Sequence, residues 1–455
     1  MNANATDSLP TDMRVGRRGP LLSSRGARRC GIVAAALSAA VLLSSCMSYR
    51  PASAKTAEQL STGDAVIAVR LKEGRSVSGL AGPTRDNWIG LLDAQGGAEL
   101  GRVEDKSGGD IVWTASGISY GAPHHEYLTT AQGTQVMKRQ RYEPSEQRRY
   151  ALPDGRIAVV GLSTNWGYEV ETVHLDGTFE RVESNETSGA FGQCGSRILA
   201  ITSTEDSKSI GEEAFAVYSA LVGGNGERPD ALSVIVQLND HDGDVPPVVA
   251  VAPLVEGLGT APSTFACEGD VITVPSKQLD DPEADTSGGS DAGDGTLVIE
   301  RWDLSTGQRA IIPVHDEAGN AVKLEGDRSV VGARGVQVGN DYRFISRTGD
   351  AYTVDLVSGQ GRRLFSIPST KTDNEVLFQV TESGVYALED REEDRLVALS
   401  YQSWDGGEKR DVFTTGKLEE YLRTNSGILS AGYRRGLSPL RCAPAGTAAL
   451  SSAAR

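Results

Sequence analysis

From residue 65 onward the apolar residues come in short runs rich in Val, Ile, Leu and Thr, separated by polar turns that carry glycine. No stretch keeps a long apolar face at the 3.6-residue period. The pattern therefore predicts strands throughout and an all-β fold. The clearest unit is "TLVIERWDLSTGQRAIIPV", Thr296 to Val314, two β-rich runs around a glycine turn. The same shape recurs at 65–82, 127–141, 168–183, 232–251, 350–367 and 396–413. The turns of these seven hairpins fall at Gly74, Gly133, Gly177, Gly243, Gly307, Gly359 and Gly406, where glycine tolerates positive φ.

A second, more apolar hairpin type lies between them, at 149–161, 190–201, 263–274, 376–388 and 420–432. One hairpin of each type makes a four-stranded sheet, and such units recur roughly every 45–65 residues, the signature of a β-propeller. A lone blade exposes both faces, and a ring lets each neighbour cover one of them. The count predicts seven blades. The first outer hairpin lacks an inner partner and the last inner hairpin, 420–432, lacks an outer one. N- and C-terminal strands are thus expected to share one blade and close the ring. Residues 86–115 hold more strand than one blade needs, which leaves eight blades as the alternative.

Trp302-Asp303 before "LSTG" and Trp404-Asp405 before Gly406 resemble the end of the third strand in WD40 and quinoprotein-type propeller blades. The Gly-His dipeptide of WD40 repeats is missing, as is the regular tryptophan docking of quinone-dependent dehydrogenases. The resemblance implies the fold and no particular function.

The N-terminus has a different pattern. Six arginines within the first thirty residues precede the apolar run Ile32 to Leu43, which is shorter than the roughly 20 residues a membrane span needs. Leu43-Ser44-Ser45-Cys46 follows and resembles the lipobox of bacterial lipoproteins. That resemblance implies cleavage before Cys46, diacylglycerol on its thiol, and a second acylation that makes anchoring firm. Arg28-Arg29 is also similar to a loose twin-arginine export signal, so either the Sec or the twin-arginine route is expected. The expected organisation is a signal peptide over 1–45, a flexible tether over 46–63, the propeller over 64–435 and a disordered tail over 436–455.

The whole chain of 455 residues has a formal net charge of -16. After cleavage 39 basic groups face 59 acidic ones, a net charge near -20. Such a balance repels nucleic acid and anionic lipid, so membrane association is expected through the lipid alone. Cys194 and Cys267 occupy matching places in the inner turns of adjacent blades, and an exported protein can hold disulfides; their pairing is expected, with Cys442 left over.

No G-x-S-x-G, HExxH or zinc-type cysteine spacing occurs. His124 and His125 are weak metal candidates, since adjacent residues on a strand point to opposite sides. Asp240, Asp242 and Asp244 have the alternate spacing of a calcium loop but lack its glycine and glutamate. No cofactor is expected. The longest insertions, Thr202 to Asp230 and Pro275 to Gly295, and the His124 loop all fall between second and third strands, and so on one face. The expected function is a monomeric binding or scaffold module on the extracytoplasmic face of the cell membrane, with an envelope protein or glycan as partner. The alternative is a propeller enzyme, a metal-dependent hydrolase or lyase.

Overall fold

Strands that lie between two neighbouring sheets are covered on both faces. This is why "IAVVGL" (Ile157–Leu162) and "LSVIVQ" (Leu232–Gln237) are continuous aliphatic runs rather than alternating ones. The computed structural model describes residues 54–72, 87–104, 109–139, 146–162, 167–184, 190–224, 227–259, 264–281, 294–324, 332–367, 376–391, 396–418 and 428–434. They form seven sheets, a seven-bladed β-propeller. The signal peptide, Cys46 and the tail 436–455 lie outside the described residues.

From axis to rim, the second blade is Ile111–Trp113, Ile118–Gly121, His125–Thr130 and Gly133–Lys138. The third is Glu146–Ala151, Ile157–Leu162, Tyr168–Val173 and Phe179–Ser184. The fourth is Ala190–Cys194, Arg197–Ser203, Leu232–Gln237 and Val248–Pro253. The fifth is Ala266–Glu268, Val271–Leu279, Gly295–Asp303 and Gln308–Pro313, with Leu258–Gly259 and Lys323–Leu324 added at one end. The sixth is Val336–Val338, Asp341–Ile345, Asp350–Asp355 and Gly361–Ser366. The seventh is Leu377–Val380, Gly384–Arg391, Leu396–Ser403 and Arg410–Thr415.

The first blade closes the ring. Its innermost strand, Ile428–Tyr433, comes from the C-terminal region and pairs antiparallel with Ala65–Lys72, for example Ile67 opposite Tyr433 and Val69 opposite Ala431. Asn87–Asp93 and Ala98–Val103 complete the blade. The expected sharing of one blade is present, but its division differs. One described C-terminal strand and three N-terminal strands meet, rather than two and two. The outer hairpin turns at Gly96, with φ +77°, and not at Gly74, which lies outside the described residues. The surplus strand within 86–115 is thereby accounted for, as this outer hairpin plus the start of the second blade, and the eight-bladed alternative falls away.

Residues 54–60 also depart from expectation. Ala54–Thr56 adds to the rim of the first blade as a parallel fifth strand beside Ala98–Val103. A short 3-10 turn, Ala57–Gln59, follows, and Leu60 is fully buried. A Cβ on Gly101 would lie 2.5 Å from Leu60 Cδ1, so the missing side chain of Gly101 makes the niche that Leu60 fills. Strand pairing is therefore present ten residues ahead of the start that the pattern of apolar positions predicts.

Seven apolar clusters fill the seven interfaces between blades. The smallest lies between the second and third blades: Leu128, Met137, Ile157, Val159 and Val173. What replaces apolar packing there is described next.

Candidate functional site

Charged side chains converge between the second and third blades. Glu126 is the second residue of the third strand of the second blade, Arg139 follows its fourth strand, and Glu146 and Arg149 lie on the innermost strand of the third blade. Their side chains are wholly buried. Arg149 pairs with Glu126 and, at 2.9 Å, with Glu146. Arg139 bonds Glu126 at 2.7 Å and also Glu171. Ser119 donates to Glu126 at 2.9 Å. Arg70, fully buried in the first blade, donates to the carbonyl of Gly121 at 2.9 Å. Gly121 makes room for all of this, since a Cβ there would stand 2.6 Å from Arg149 Nη2 and 2.8 Å from Arg139 Nη2.

Three guanidinium groups thus face three carboxylates, away from water. Burial alone pushes the Arg149 pKa down, but Glu126 and Glu146 outweigh it and hold it above its ordinary value. Arg70 lies below its ordinary value, because burial exceeds the attraction of Glu146. The paired part of this network is costly to break and favours one arrangement of the second and third blades. Nε and Nη2 of Arg70 have no hydrogen-bond partner among the described residues. The network does not show in the apolar pattern of the hairpins. The signals available were the single charge Arg70 inside the apolar run "AVIAVRLK" and the charged innermost strand "EQRRYA" with Glu146 and Arg149.

The connections between second and third strands leave from one face of the ring, as strand order dictates. In the fourth blade this connection runs over 204–231, of which 204–224 and 227–231 are described. It contains the described helix, Gly211–Leu221, which periodicity had not singled out. Ile210 and Ala214 are fully buried, and the helix packs on the outermost strand of its blade. Glu212 and Glu213 favour its N-terminus. Arg228 stacks over the Phe215 ring at 4.0 Å and holds the returning chain. Leu221 and Val222 at its end are exposed, by 41% and 39%. Of the second insertion, residues 282–293 lie outside the described residues.

The structure separates the metal candidates. His124 is exposed, His125 Nδ1 lies 3.3 Å from Glu104 Oε2 at the surface, and Glu126 turns inward to the buried network. Asp240 adopts φ +55°, and its carboxylate accepts a bond from Asn239 Nδ2 at 2.8 Å. Asp242 and Asp244 border a cleft of about 510 Å³ with Arg181, Glu183 and His241. Among the described residues no three His, Cys, Asp or Glu side chains gather in a geometry that could hold a metal ion. Cys194 and Cys267 are brought together from the innermost strands of the fourth and fifth blades. They are joined as a disulfide, with Cα atoms 5.3 Å apart. Phe191 and Thr264 bridge the same two strands in parallel.

Trp302-Asp303 and Trp404-Asp405 both stand where third strands end. Trp302 is fully buried with Arg309 over its ring at 5.1 Å, and Trp404 Nε1 donates to Thr381 O at 2.7 Å.

No protein-family model matches the chain, and no curated protein matches it either. Solved structures do resemble it in fold. The β-propeller domain of the Trilobed protease from Pyrococcus furiosus is 11% identical with a TM-score of 0.40, over 76% of this chain and 98% of that one. BamB from Moraxella catarrhalis is 13% identical with a TM-score of 0.34, over 66% and 70%. The Pan2 WD40 domain from Neurospora crassa is 10% identical with a TM-score of 0.36, over 73% and 86%. The propeller fold is consistent with a binding or scaffold module.

Proposed function

We propose that the protein is a lipid-anchored extracytoplasmic binding module. Cys46 carries the lipid, and the face from which the second-to-third-strand connections emerge receives an envelope protein or glycan. The observation that carries this reading is the packed helix Gly211–Leu221 in the fourth-blade connection, which ends in exposed Leu221 and Val222. Its support in the chemistry is the buried network, where Arg139 and Arg149 are held by Glu126, Glu146 and Glu171. Two measurements test it. A palmitate analogue fed to producing cells labels the wild-type chain and leaves the Cys46→Ser chain unlabelled; equal labelling removes the anchor. A photo-crosslinker at Ala220 captures an envelope component, whereas one at Val357, 78% exposed in a turn between third and fourth strands, does not. Capture from Val357 alone, or stoichiometric bound metal with turnover of a small substrate, overturns the binding reading.

A further inference from the structure

The central channel is unequal around the axis. The disulfide and the Phe191–Thr264 bridge draw the innermost strands of the fourth and fifth blades together. On the other side, the innermost strands of the fifth, sixth and seventh blades stand apart and enclose a cavity of about 500 Å³. That volume falls within the range of small-ligand sites. Gly335 shapes its wall, because any Cβ there would lie 2.3 Å from the Tyr342 hydroxyl.

Three charged side chains line this cavity: Arg334, Glu268 and Glu382. None of the three side chains forms an ion pair or hydrogen bond among the described residues, whereas Arg139 and Arg149 of the buried network are both paired with carboxylates. Their placement follows from register. Glu268 and Val338 each end an innermost strand, before the turns Gly269-Asp270 and Gly339-Asn340. Arg334 lies four residues ahead of Val338, as Thr264 lies four ahead of Glu268. At about 3.3 Å per residue, the backbone at Arg334 stands about 13 Å along the strand direction from the level of Val338. Glu382, in the corresponding turn of the seventh blade, stands at the carboxylate end. Phe378 supplies apolar surface and Gln379 an amide between the two ends.

We propose that this cavity binds an extended zwitterion, namely a short peptide of about four residues, with its terminal carboxylate at Arg334 and its terminal ammonium at Glu268 and Glu382. An extended tetrapeptide spans about 13 Å between its termini. Opposite charges at the two ends set its direction, and the glutamine amides can meet its backbone. This site is distinct from the loop face and does not depend on the lipid.

Calorimetric titration of the full chain with tetraalanine tests the proposal. Saturable binding is expected, weakened about tenfold or more by N-acetylation and likewise by C-amidation, since charge-assisted hydrogen bonds are the strong ones. In Arg334→Gln, free and amidated peptides bind alike; in the double variant Glu268→Gln, Glu382→Gln, free and acetylated peptides bind alike. These side chains are exposed and unpaired, so the variants keep the wild-type unfolding midpoint. Absence of saturable binding into the millimolar range, or equal affinity of the wild type for free and blocked peptides, overturns the proposal.

Discussion

At the scale of single residues, two kinds of acid behave oppositely. Asp176, Asp303, Asp355 and Asp405 open outer turns, lie at the surface, and accept hydrogen bonds within the turn. Asp176 accepts from the Thr178 hydroxyl, Asp303 from that of Ser305, Asp355 from the Ser358 backbone N–H and hydroxyl, and Asp405 from Ser403 and the Gly407 N–H. These bonds hold all four carboxyls below their ordinary pKa. A depressed folded pKa contributes stability above the unfolded value of about 3.9, and that stability is lost as pH falls through the folded values. The urea midpoint should therefore fall below about pH 4, and changing all four residues to Asn should make that fall shallower; an unchanged slope would count against the turn bonds. Glu126 is the opposite case, buried between Arg139 and Arg149. Glu126→Gln leaves two guanidinium groups short of a counter-charge, and removing one partner of a buried pair costs about 3–5 kcal/mol. Urea unfolding reads that loss, and a change under about 1 kcal/mol would mean the network adds nothing to the second–third interface.

At the scale of elements, the outer hairpins were legible because glycine marks their turns. Gly133, Gly177, Gly243, Gly307, Gly359 and Gly406 all adopt positive φ, which an L side chain rarely accepts. The first blade was misread because 65–82 has the same alternation of runs and glycine, and pattern alone does not say which run pairs with which. The segment 54–60 was read as tether because one leucine and a few alanines carry no period. What orders it is a niche that local patterning cannot reveal: the absent side chain of Gly101, forty-one residues further on, into which Leu60 fits. The buried network was hidden for a related reason, since its members are spread from Arg70 to Glu171 and meet only when the ring forms. Leu60 gives this element its test. Leu60→Ala should cost about 2–5 kcal/mol, as for other fully buried leucines, and should expose the parallel strand Ala54–Thr56 to proteolysis. Glu58→Ala, at an exposed position of the same turn, should leave both unchanged.

At the scale of the whole molecule, stability depends on a ring that one C-terminal strand completes. Each apolar cluster belongs to two blades, so none is finished until its neighbours are in place. Without Ile428–Tyr433, the inner edge of Ala65–Lys72 would present unpaired backbone groups to solvent, and Ile67, Val69 and Leu71 would lose part of their cover. The closing strand approaches the second blade closely at Gly432. A Cβ there would meet Ile111 Cγ2 of the second blade at 2.7 Å and its carbonyl oxygen at 3.3 Å. Backbone on that side cannot yield without moving the second blade, so Gly432→Val should force the closing strand out of register. Ser430→Ala removes only the hydroxyl bond to Gly109 O, at 3.1 Å, and leaves the backbone ladder intact. Hydrogen exchange distinguishes the two. Amides over 65–72 should lose protection in Gly432→Val and keep it in Ser430→Ala, because only the first opens the edge they face. If 65–72 stayed protected in Gly432→Val, the ring would be held shut by blade-to-blade packing alone, and the C-terminal strand would be an ornament of the first blade rather than its closure.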